Sequence, residues 1–166
     1  MKILSPLLTA ALLPAVAIAG REPAAFRPIH ERVRFSTHIV VGEAQTLRVI
    51  NEVTGKEIPK PSADLDDGQQ MEVEITVETV LQADNSRKVN PGSKLKARFG
   101  RKGDTPSVFK KMFSGKKLIF FLSRDAEHAS RFDYFYPFFG ETNLIELPTN
   151  LQSVMEAIAR LGNAAP

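Results

Sequence analysis

The chain has 166 residues, of which 25% are charged and 43% hydrophobic, with a formal net charge of +3 and no cysteine. Without cysteine, a disulfide framework, a thiolate nucleophile and a lipidated N-terminal cysteine are excluded, so a hydrophobic core has to hold the fold together. The small net charge conceals a segregation: residues 43–84 carry ten acids against Arg48, Lys56 and Lys60, and residues 87–117 carry eleven bases against Asp104 alone.

Lys2 precedes an apolar run from Ile3 to Ile18 that ends in Ala17-Ile18-Ala19. This is the pattern of a signal peptide over residues 1–19, cut before Gly20. The run is shorter than the roughly 20 residues of a spanning helix, and Pro6 and Pro14 interrupt it. The expected location is periplasmic or secreted, and the lack of disulfides suits a periplasm. No later apolar segment is long enough to span a bilayer, so no stable transmembrane segment is expected after cleavage.

Residues 20–36 form an N-terminal segment with a short helix expected from Pro28 to Phe35, which would set Ile29, Val33 and Arg32 on one face. His38 to Val41 reads as a buried strand. Gly42 marks a bulge or bend, and alternation continues to Ile50. Residues 51–70 read as a loop. Met71 to Leu81 alternates strictly, with Val73, Ile75 and Val77 opposite Glu72, Glu74, Thr76 and Glu78. After a turn at Asn90-Pro91-Gly92, residues 93–99 alternate again, with Leu95, Ala97 and Phe99 opposite Lys94, Lys96 and Arg98. A hairpin of these two strands would face Glu78 with Lys94 and Glu74 with Arg98, so part of the charge segregation reads as a cross-strand ladder.

Thr105-Pro106 signals a helix start, with Val108, Phe109, Met112 and Phe113 as its apolar face and Gly115 as its stop. Leu118 to Leu122 reads as a central strand, residues 123–131 as a polar loop, and residues 143–147 as a last short strand. Thr149 with Gln152 fits a capping box. It opens a terminal helix with the stripe Leu151, Val154, Met155, Ile158 and Leu161. Of thirteen aromatic residues, six fall in Phe132 to Phe139. Alternation sends Phe132, Tyr134 and Tyr136 to one face and Phe135 to the other. One set fills the core, and the terminal helix is expected to cover the rest.

The fold class expected from this order is mainly β with short helices: an OB-like barrel of five to six strands, a helix between strands 3 and 4, and a C-terminal helix. The barrel domain spans 37–148, and residues 149–166 form a helix and tail packed on it. The segments HIVVGEA (38–44), MEVEITVETVLQ (71–82), PGSKLKARFG (91–100), FSGKKLIFFLS (113–123) and FFGETNLIEL (138–147) occur in an order that resembles the netrin-like, tissue-inhibitor-of-metalloproteinase-like OB-fold domains of secreted proteins. The resemblance implies a protein-binding or inhibitory module. Inhibitors of that kind chelate a catalytic zinc through an N-terminal cysteine. This chain has none, so the resemblance carries over no inhibitory residue.

A search for reactive motifs finds little. His30, His38 and His128 form no helix-borne pair, and Asp64, Asp66 and Asp67 do not fit a calcium loop, so no metal or other cofactor is expected. No nucleophile elbow, phosphate loop or dinucleotide fingerprint is present. The function expected is a non-enzymatic exported binding module that recognises or inhibits a protein partner. The alternative is a binder of an anionic envelope polymer or nucleic acid through basic loops. Third comes a hydrolase with a spatially assembled site. The candidate binding surface is Arg101, Lys102, Lys110, Lys111, Lys116 and Lys117, with Tyr134 and Tyr136.

Overall fold

The computed structural model describes residues 26–137 and 143–163. The expected signal peptide, Phe138, Phe139 and the side chain of His128 lie outside the described residues. A first helix, α1 (Ile29–Phe35), leads into the long strand β1 (His38–Asn51). Strands β2 (Gln69–Ala83) and β3 (Lys94–Phe99) follow, then helix α2 (Pro106–Phe113), strand β4 (Lys117–Leu122), helix α3 (Ala126–Arg131), the two-residue strand β5 (Ile145–Glu146) and helix α4 (Leu151–Asn163). All strands pair antiparallel, in the order β3-β2-β1-β4-β5.

The OB-like barrel is met only in part. The five-stranded sheet does not close, although α2 and α4 stand where they were expected. With only two residues, β5 cannot pair along a second neighbour. What reaches the free edge of β3 is residue 135, whose amide donates to the Lys96 carbonyl and whose carbonyl accepts from Arg98 N–H. The neighbouring Tyr136 exchanges both backbone bonds with Ser123, just past β4.

Alternation predicted the faces of β2 and β3 correctly. It misplaced their register by two residues, since Arg98 faces Glu72 and Lys94 faces Thr76. A slip of two preserves the face of every side chain, and the connection between β2 and β3 is too long to fix the register by turn geometry. Gly42 does sit at a register shift in β1. A Cβ there would lie 2.4 Å from the Thr76 carbonyl oxygen, so the close strand approach requires glycine.

One face of the sheet carries the main core. Val73, Ile75, Leu95, Ala97, Leu118, Phe120 and Phe135 pack with Phe113 of α2. Phe99 meets Phe109 and Phe113 at ring-centroid distances of 5.5 and 5.8 Å, so α2 closes this face from one end. On the other face, Ile39, Val41, Ile119 and Phe121 are covered by Val33 of α1 and by Val154 and Ala157 of α4. Strand β4 is therefore buried on both sides, as its unbroken apolar run implies.

Three expectations need correction. Residues 126–131 form α3 rather than a loop. Thr105 makes no side-chain cap. Its hydroxyl donates to Asp64, which ties the helix entry to the 51–70 loop. Among the described residues, the terminal helix does not pack on the aromatic segment. It packs on α1 and the β1–β4 face, with Ala157 inside and Met155 53% exposed. A small residue at 157 keeps side-chain bulk out of that packed interface.

Candidate functional site

The six basic candidates fall into two groups. Lys102 Nζ lies 2.6 Å from Asp67, whose hydrogen bond holds the ammonium above its usual pKa. Lys117 pairs with Glu78 at 2.6 Å, and the Arg101 amide donates to Asp104 in a tight turn. The contacts of Lys102 and Lys117 join the acidic and basic segments. Lys110 and Lys111 on α2 and Lys116 in the following turn are exposed, and no described residue pairs with any of the three. Val108, 38% exposed, lies on the same helix. The sequence signal for α2 was its apolar spacing. Phe113 and the half-buried Phe109 and Met112 take the inner side, which turns Ser107, Lys110 and Lys111 outward. Lys110 also borders a shallow dimple of about 50 Å³ against residues 44–47 of β1.

The two tyrosines have other partners. Tyr134 is half-buried and stacks under the Arg98 guanidinium at 4.2 Å and beside Phe132 at 5.2 Å. Tyr136 donates its hydroxyl to Asp125 at 2.8 Å. Burial, reinforced by that carboxylate, pushes the Tyr136 phenol up to about 12. Phe135 between them is fully buried, as alternation requires.

Three of the buried polar residues have structural partners. Glu72, 3% exposed, accepts from Arg48 and Arg98 on the two flanking strands. Burial alone would raise its pKa, but the two arginine hydrogen bonds outweigh that and hold it below the usual carboxylate range. His38 is sealed, with Nε2 2.8 Å from the Arg87 carbonyl and Nδ1 3.0 Å from the Thr37 hydroxyl. A carbonyl only accepts, so Nε2 carries the proton. Ser123 donates its hydroxyl to the Phe35 carbonyl at 3.0 Å. Among the described residues no group of three or more His, Asp or Glu is placed to hold a metal ion.

Sequence reasoning missed two features. A groove of about 780 Å³ runs between α1 and α4, with Ile29, Ala157 and Leu161 as its apolar part and Arg34, Arg160 and Glu156 as charged lining. Around Phe135, Arg87 and Arg124 converge on Asp133. Neither has a local signal, because both join segments far apart in the chain. No helix among the described residues is long and apolar enough to cross a membrane. No protein-family model matches the chain, and no curated protein matches it.

Proposed function

We propose that this protein is an exported, non-enzymatic binding module that recognises an acidic surface on a protein partner through α2 and the turn that follows it. The observation behind this reading is the unequal use of the basic residues. Lys94, Arg98, Lys102 and Lys117 lie against acids, whereas Lys110, Lys111 and Lys116 have no partner of opposite charge among the described residues and share their helix and turn with an exposed valine. Cations on a rigid helix steer and orient an acidic partner. An OB-like architecture fits the five antiparallel strands, the helix between β3 and β4, and the bonds of residues 135 and 136 to the ends of β3 and β4. An extended anionic polymer is less favoured, since it needs a continuous basic track and acids interrupt this one at Asp67 and Glu78.

The test places a photo-crosslinker at position 107 and looks for a stoichiometric adduct in envelope extract. The expected result is an acidic protein whose capture is lost in the double variant Lys110→Glu, Lys111→Glu. Retention of capture in that variant, or salt-sensitive binding to heparin without any protein adduct, would overturn the reading.

A further inference from the structure

We infer that Arg87 and Arg124 form a carboxylate-binding subsite that Asp133 fills from within the chain when no ligand is bound. Arg124 follows β4 directly and its side chain is 8% exposed. Its Nη2 donates to the carbonyls of Ala129 and Phe132 at 3.1 and 2.7 Å, which fixes the guanidinium against the end of α3. Its Nε and Nη1 are buried and have no hydrogen-bond partner among the described residues. Arg87 comes from the β2–β3 connection, and its carbonyl is held by buried His38. The two guanidinium groups sit 5.7 and 5.5 Å from the Phe135 ring centroid, so one aromatic ring supports both.

Asp133 occupies this site imperfectly. Its Oδ1 lies 2.5 Å from Arg87 Nη1 but 3.7 Å from Arg124 Nη1, beyond hydrogen-bond reach. Its side chain is 80% exposed, so little holds it in place. Buried guanidinium N–H groups without acceptors are rare in folded proteins and mark a place where an acceptor belongs. A carboxylate free of the Asp133 backbone tether can approach both arginines, and a guanidinium offers a carboxylate a matching pair of donors. Asp84 lies 3.7 Å from His38 Nδ1, and Asp125 accepts from the Tyr136 hydroxyl. Arg124 follows β4 and Lys116 precedes it, so the subsite includes none of the lysines of α2 and its following turn.

The experiment follows arginine side-chain N–H signals by NMR during titration with sodium acetate, against sodium chloride at matched ionic strength. Wild type is compared with Asp133→Asn, which keeps the side chain's shape and removes the internal competitor. The inference expects saturable shifts at Arg87 and Arg124, with apparent affinity at least about tenfold tighter in Asp133→Asn, because removing an occupant raises the binding-competent fraction. In the Asp133→Asn background, Arg87→Gln should abolish the shifts while the backbone amide spectrum stays native. An Asp-terminated tripeptide in place of acetate separates a peptide carboxylate from a small acid as the source, and tighter binding by either keeps the subsite. Equal affinity in wild type and Asp133→Asn, shifts reproduced by chloride, or shifts with inorganic phosphate but not with either carboxylate would overturn it.

Discussion

The outer face of the sheet is two surfaces that share β1. Over the start of β1 and along β4 it is apolar and covered by α1 and α4. Over the rest of β1, β2 and β3 it is ionic and carries no helix among the described residues. Each half nevertheless buries a charge. In the apolar half Arg32, 1% exposed, lies between the rings of Phe26 and Phe121 at 4.8 and 4.6 Å and pairs with Glu146. In the ionic half Glu72 is covered by the arginines that pair with it, and Tyr134 closes over Arg98. The difference lies in how water is excluded. Two aromatic rings shield Arg32, whereas counter-ions themselves shield Glu72.

The comparison can be broken at either half. Arg32→Ala removes one partner of a buried pair and the packing of two rings. The expected loss is about 3–5 kcal/mol, read from urea denaturation midpoints. Glu72→Gln keeps the shape but leaves two arginines short of a charged acceptor, one of them 36% exposed and able to turn to water. Its expected cost is smaller, about 1–3 kcal/mol. A loss in Glu72→Gln as large as that in Arg32→Ala would mean that counter-ions seal as completely as aromatic rings do.

The acid limb of stability sharpens the same point. Glu72 and Glu146 are both held below the usual carboxylate range. In each case burial opposes the shift and arginine hydrogen bonds prevail. A carboxylate depressed in the folded state stabilises above its unfolded pKa and loses that contribution as pH falls through the folded value. The stability gap between wild type and Glu72→Gln should therefore be full above about pH 5 and shrink steadily below it. A gap independent of pH would show that the carboxylate's charge contributes nothing.

Two smaller effects complete the series. Lys94 bonds Glu74 at 2.9 Å on the exposed part of the ionic half. Lys94→Ala should cost no more than about 1 kcal/mol, and 0.5 M salt should erase most of that. Asp125→Asn should lower the Tyr136 phenol from its value of about 12 with little change in stability, as followed by absorbance at 295 nm.

The long strands and α2 were legible because alternation, a Pro start and a Gly stop are local signals, and Gly115 does take a positive φ of 62° at the helix end. The six residues of α3 carry no apolar period, and they are tied instead by Arg124 to carbonyls near its end. The stripe of α4 named Met155 rather than Ala157, because periodicity finds the apolar side but not the close neighbour that selects a small residue. In the candidate surface, exposure of Lys110 and Lys111 followed from helical spacing. The pairing of Lys102 and Lys117 did not, since Asp67 and Glu78 lie 35 and 39 residues away in sequence. The convergence of Arg87 and Arg124 on Asp133 was equally hidden, being set by where the strands end.

The central place of β1 has a consequence for how the chain acquires its shape. Its first edge is satisfied early by β2, but its other edge, from His38 to Glu43, waits for Leu122 to Lys117. Until those residues arrive, Ile39 to Val41 present open backbone groups beside apolar side chains, the arrangement most prone to pair with a second copy. Contacts of such long sequence separation also form slowly. The vulnerable moment in the life of this protein is thus the interval before β4 docks, and a chaperone that shields residues 38–43 during that interval would raise the yield of folded chains more than any stabilisation of the finished sheet.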